Sequence, residues 1–462
     1  MNARRMIGVL GLVGVGLGLS VSLVFGHGGD PNMVHACVNT SSGTVKFVSP
    51  NTTCQNNELA VDWDKPLRTE PGTFIVDCDA QESINNALRN LIPGDTLRVS
   101  GTCNENVRVH EEVERITLDG QGIATINGPD STLGTVEVRG RAVTIRNFTI
   151  TGGDSCVRVT QGGTATIDSN HIQNSSRLQG ISITRGSFAT IANNTIKNNA
   201  NHGIQLLGGS SANIGFLGSD DAMASPNVIQ NNAGFGINLS DASSARIDGN
   251  LITDNAFAGI NVSESSSARI GFTGPTGSLT AANTIKNNGN GGIRALDASH
   301  VGIEGNFIES NIGVGISIDT SSSAEIGVRG FSNNIQNNTG GGVLLRRSSS
   351  ARILAAVISN NTGNGVHISR GSQGDVGSNT INANTGDGIR VEENGGLNIF
   401  PSANNGNNGQ FGVRCLTGGY ATGSLGGLTG ASGPKNFGIT VALTENPAVS
   451  VNSEGCIDRT TP

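Results

Sequence analysis

Charge and aromatic rings are scarce in this chain. Of 462 residues only 14% are charged and 3% aromatic, with one Trp and one Tyr. A large globular core built on rings is thereby excluded. The formal net charge of -7 excludes any general attraction to nucleic acid or to acidic membranes. Proline is limited to 12 residues while glycine reaches 68. Such a composition could suit a disordered chain, but its aliphatic residues recur at fixed intervals.

Long apolar runs are also missing, with one exception at the start. Arg4 and Arg5 precede an apolar stretch from Met6 to Phe25, and small Gly26 follows. This pattern predicts a secretory signal over 1–26, which leaves no membrane span once cleaved. Uncleaved, the run is long enough to anchor the chain, though its glycines weaken that reading. Export puts the seven cysteines in an oxidising compartment, where they act as staples. Proximity favours Cys37–Cys54, Cys78–Cys103 and Cys415–Cys456 among the connectivities, with Cys156 left over.

What the chain has in abundance is a repeat. Glycines at 180, 203, 236, 259, 292, 315, 342, 365, 388 and 412 mark a unit of about 23 residues, lengthened in three coils. Each unit carries Gly-Ile-x-Ile/Val/Leu, then Ser-x-Ala-x-Ile, then Asn-x-Ile. The period of two identifies three short strands. Gly and Asn fall at the corners, where positive backbone dihedrals are expected. Asn174, Asn199, Asn232, Asn255, Asn288, Asn311, Asn338, Asn361, Asn384 and Asn408 are expected to stack as one corner ladder. A leucine-rich repeat has a similar period but needs a leucine framework absent here. The fold class is all-β, a parallel β-helix. Ahead of it, Ile84, Ala87, Leu88 and Leu91 share one face of a short helix suited to cap the open end. The predicted organisation is a signal at 1–26, a small Cys-bearing hairpin module at 27–68, the β-helix with its cap at 72–411, and a C-terminal cap at 412–462.

The turn Pro93-Gly94-Asp95-Thr96, the "LDGQG" segment and the Asn-x-Ile and Gly-Ile-x-Ile units resemble secreted right-handed parallel β-helix proteins of the pectin-lyase-like superfamily. The resemblance covers about residues 72–415. It supplies the handedness and implies a carbohydrate setting, but members include lyases, hydrolases, epimerases and non-enzymatic surface proteins. Residues 35–65 look like a Cys-bearing hairpin of bacterial exported proteins.

Several residues are candidates for chemistry. His202 in "HGI" resembles the histidine of polygalacturonase-like sites, and Asp154 in "GGDSC" resembles their carboxylate two coils earlier. They form the candidate catalytic pair, although Ser155 stands where a second acid is needed. Asp387 also resembles such a carboxylate but lies seven coils from His202, roughly 34 Å away at about 4.8 Å per coil. Arg346, Arg347, His367, Arg370, Arg390 and Arg414 crowd the last regular coils and are the candidate contacts for an acidic glycan. Asp387, Glu392 and Glu393 make that patch mixed in sign. No cofactor is implied, since the seven histidines lack metal-ligand spacing; only Asp220-Asp221 hints at calcium. Insertions at 214–227, 270–283 and 326–333 follow the second strand and are expected to wall one edge. The expectation is a secreted, non-enzymatic surface protein whose partner is an extracellular or cell-wall polysaccharide. The alternative is a lyase, hydrolase or epimerase acting on an acidic glycan.

Overall fold

The computed structural model describes residues 33–64, 70–218, 224–271, 282–328, 330–400, 404–436, 440–442, 450–452 and 456–461. The expected signal at 1–26, Asp220-Asp221 and much of the first two insertions lie outside them. The chain divides into two units, Met1–Glu70 and Pro71–Pro462. In the first, strands Met33–Asn39, Val45–Val48 and Glu58–Asp64 form an antiparallel sheet stapled by Cys37–Cys54.

The second unit is the solenoid. Its three strand patterns build three parallel ladders, each rising one strand per coil. The Gly-Ile ladder and the Asn-Ile ladder each hold 14 strands. The Ser-Ala ladder begins with Thr73–Asp77 and runs in register through every coil. Strand pairing continues beyond residue 411, through Phe411–Cys415 to Gly433–Asn436. Cys78–Cys103 and Cys415–Cys456 staple the two ends of this unit. Helix Ile84–Leu88 buries Ile84 and Leu88 against the core, while Ala87 and Leu91 pack partly against it. The Glu105 carboxylate accepts the Ile84 N–H at 2.7 Å at the helix start.

Inside, aliphatic side chains stack in files. Ile181, Ile204, Ile237, Ile260, Ile293 and Ile316 pair in register and are all fully buried. Each buried isoleucine contributes roughly 1.5–3 kcal/mol, so the fold rests on many small equal increments. All three corners carry polar ladders. At the expected Asn corner, Asn199 N–H donates to Asn232 Oδ1 at 3.2 Å, and Asn232 N–H to Asn255 Oδ1 likewise. Asn174 is not a rung: Ser175 takes that place, donating its N–H to Asn199 Oδ1, while Asn174 adopts φ 56° in the residue before. The Asn-Asn pairs explain themselves, since Asn198 turns the chain at φ 55° and Asn199 bonds along the axis.

A second asparagine ladder, Asn170, Asn194, Asn227, Asn250, Asn283, Asn306 and Asn333, fills the next corner. Ala356 interrupts it before Asn379 and Asn404. Serines 243, 266, 299, 322, 349 and 372 form the third. The repeating glycine serves a different purpose from the one expected. Gly203 has no positive φ; a Cβ there would lie 2.6 Å from Gly236 O and from Ile229 Cγ2. Close approach of adjacent coils, rather than a left-handed turn, demands glycine.

Candidate functional site

The middle residue of each Gly-Ile strand points away from the core, and the pairings put these residues in one file. It reads Arg108, Glu137, Arg158, Ser182, Gln205, Asn238, Asn261, Arg294, Ser317, Leu344, His367, Arg390 and Arg414. Charge collects at both ends, and the centre is neutral.

At the C-terminal end the expected patch is assembled, but largely as ion pairs. Arg346 Nε and Arg347 Nη1 hold Asp319 Oδ2 at 2.6 and 3.0 Å. His367 Nε2 meets Glu392 Oε1 at 2.8 Å, and Arg390 Nη2 meets Glu392 Oε2 at 2.8 Å. Arg370 Nε pairs with Glu393 Oε2 at 3.0 Å, and Arg414 Nη1 donates to Gln410 Oε1 at 3.0 Å. Arg294, unforeseen in this role, joins the group; burial and then the Arg346 charge lower its pKa, against Asp319 and Asp297. Asp319, which anchors two arginines, was also not anticipated. Six arginines and a histidine thus share four carboxyl groups, Asp319, Asp387, Glu392 and Glu393.

Two of these carboxyls are pushed apart in acidity. Asp387 is fully buried, and burial raises its pKa despite the Phe411 N–H at 3.2 Å and the Arg414 and Arg390 charges. Its Oδ2 has no hydrogen-bond partner, with Arg390 Nη1 4.0 Å away. Burial also acts upward on Glu392, but hydrogen bonds from Arg390 and His367 outweigh it, and its pKa is lowered.

The proposed catalytic pair looks different. His202 Nδ1 accepts the Phe235 N–H at 3.0 Å, and its ring stacks on Phe235 with centroids 5.1 Å apart. Phe235 in turn packs on Phe257 at 5.5 Å. Burial lowers the His202 pKa to about 4, so the ring is neutral near pH 7 with its proton on Nε2. Asp154 is buried, accepts the Ser155 N–H and forms an ion pair with Arg158. Two coil steps, roughly 10 Å, separate the strands that follow them. Among the described residues no hydrogen bond or ion pair joins Asp154 to His202. Each is instead occupied by a structural partner.

The N-terminal end holds a cluster that sequence reasoning missed. Glu137, 6% exposed, lies among Arg139 Nε at 2.8 Å, Arg108 Nε at 3.3 Å and Arg158 Nη1 at 3.7 Å. Its signal was legible: "VRV", "VEV" and "VRV" at 107–109, 136–138 and 157–159 have the inward-outward period without the marker glycine. Two cavities, of about 420 and 520 Å³, open on either side of Glu137. Among the described residues only two groups bring three metal-type ligand atoms together. One is exposed His110-Glu111-Glu112; the other includes Cys37 and Cys54, which are already bridged.

The chain belongs to the right-handed β-helix family: the family profile "right handed beta helix region" matches residues 75–219, 133–270, 212–329 and 276–424. No curated protein matches the sequence. Among solved structures, pectate lyase Pel9A is 12% identical over 63% of this chain and 79% of its own, with a TM-score of 0.33. The periplasmic alginate epimerase AlgG is 16% identical over 65% and 74%, with a TM-score of 0.30. The A-module of the Azotobacter vinelandii mannuronan C-5 epimerase AlgE6 is 12% identical over 82% and 93%, also at 0.30. Likenesses this distant assign neither substrate nor reaction to this chain.

Proposed function

We propose that this is an exported β-helix protein that binds an acidic polysaccharide along the C-terminal coils of the Gly-Ile ladder without turning it over. The observation that carries the reading is the file Arg294, His367, Arg390 and Arg414, flanked by Arg346 and Arg347, on one rigid face. Arg294 to Arg414 spans five coil steps, roughly 24 Å, the reach of an extended chain rather than one sugar. Guanidinium groups recognise carboxylates through paired N–H donors. Here Asp319, Glu392 and Glu393 occupy part of that donor set, and the positive groups outnumber the carboxylates. Three disulfides fit an oxidising compartment, in line with the signal expected at 1–26. Among the described residues no helix is long and apolar enough to cross a membrane.

The enzymatic alternative has one observation on its side. A single guanidinium, Arg390, lies between a carboxyl of raised pKa and one of lowered pKa, a division that suits a general acid and its partner. Calorimetry with oligogalacturonate and oligomannuronate, beside a screen for new reducing ends or unsaturated products, separates the readings. Saturable binding that weakens at least about tenfold in Arg390→Ala, without products, supports a binding protein. Products lost in Asp387→Asn would transfer the assignment to the enzyme.

A further inference from the structure

We infer that the N-terminal coils carry a second saccharide site, centred on Glu137, that takes an uncharged, hydroxyl-rich oligosaccharide. The inference rests on reading the outward face as a glycan surface, and differs from that reading in place and in ligand. The two cavities of about 420 and 520 Å³ share Glu137 as a common wall. They extend from the strand Val107–Val109 to the strand Ile204–Leu207, four coil steps or roughly 19 Å.

Charge decides the ligand class. Arg139, Arg158 and Arg185 of the larger cavity are matched by Glu137, Asp241 and the Arg158-bound Asp154. The smaller cavity adds Arg89 and Arg108 but, Glu137 being shared, only one further carboxylate, Glu112. Five guanidiniums thus face four carboxylates, and a ligand carboxylate would have to displace Glu137 from three of them. Breaking a buried ion pair is costly. Hydroxyl groups, which both donate and accept, suit such a mixed set of donors and acceptors.

Unsatisfied chemistry points the same way. Gln179 lines the larger cavity and is 6% exposed; its Nε2 donates to Ser182 Oγ at 3.3 Å, but its Oε1 has no partner. A ligand hydroxyl at the cavity wall would satisfy it. Leu133 and Leu207, each 37% exposed, offer apolar surface to the C–H face of a sugar ring. Between this site and the C-terminal patch, Asn238 and Asn261 are buried and bonded to each other at 2.8 Å. The two sites are therefore separate.

The test is calorimetry on the full chain with cellohexaose, laminarihexaose and mannohexaose, beside an oligogalacturonate hexamer. At least one neutral hexasaccharide should bind saturably. Its affinity should fall about tenfold in Arg185→Glu or Gln179→Ala and hold in Arg390→Ala, with circular dichroism confirming folding. No neutral binding, or neutral binding that ignores both N-terminal variants, overturns the second site. If oligogalacturonate binding still depends on Arg390, the acidic-glycan reading stands alone; if only neutral binding is seen, that reading falls and the Glu137 site survives.

Discussion

His202 and His367 occupy neighbouring stations in the same repeat yet meet opposite surroundings. His202 stands immediately before the glycine, where the next coil covers it: a backbone N–H caps Nδ1 and Phe235 covers the ring. His367 stands in mid-strand, pointing out, and pairs with Glu392 beside Arg390. The first belongs to the scaffold and the second to a charged surface. Two positions within a 23-residue period decide which, and motif likeness does not. "HGI" marks the histidine that the next coil covers.

The largest effect should be one both regions share. Asn199→Ala and Asn361→Ala remove equivalent rungs, each leaving several buried partners unsatisfied, and should each cost about 3–4 kcal/mol in denaturant unfolding. Unequal losses would mean that the two regions differ in scaffold as well as in surface.

Acid should separate them. The His202 pKa is lowered from 6.5 to about 4, so as pH falls the unfolded chain takes up its proton first. Its contribution is complete above pH 6.5 and lost as pH falls through about 4. It amounts to up to roughly 3 kcal/mol. Unfolding at pH 7 and pH 4 should show this increment in the wild type and lack it in His202→Phe. Equal acid sensitivity in both proteins would contradict a buried, neutral His202.

On the surface side, Glu392→Gln removes the carboxylate that competes for His367 and Arg390. Affinity for oligogalacturonate should rise roughly three- to tenfold at low salt, with the gain shrinking as salt is added. The smallest effect belongs to Arg370. Its pair with Glu393 is about half exposed on each side, so Arg370→Ala should change unfolding free energy by less than about 0.5 kcal/mol.

Much of this molecule could be read before any coordinates. Period, strand triplets, nine rungs of one ladder and three disulfides follow from spacing, because a solenoid repeats one local solution and the repetition averages out error. Two misreadings share a cause. Ser175, not Asn174, is the rung, and the repeating glycines make no left-handed turn. In both cases the composition of a corner is visible in sequence, but its division of labour is not. Asn198 bends the chain, Asn199 bonds, and Gly203 simply makes room. The site was less legible. The C-terminal arginines could be counted, yet Asp319 and Glu137, which organise the two charged clusters, act through neighbours 21 to 29 residues away. Charges that meet across coils show only once the coils are aligned, as the VRV, VEV and VRV segments can be.

The most direct test sets His202→Phe against Arg390→Ala in one product and binding screen with oligogalacturonate and oligomannuronate. The expected result is binding that survives His202→Phe, weakens at least about tenfold in Arg390→Ala and yields no products in either protein or the wild type. Turnover by the wild type that His202→Phe abolishes would contradict it.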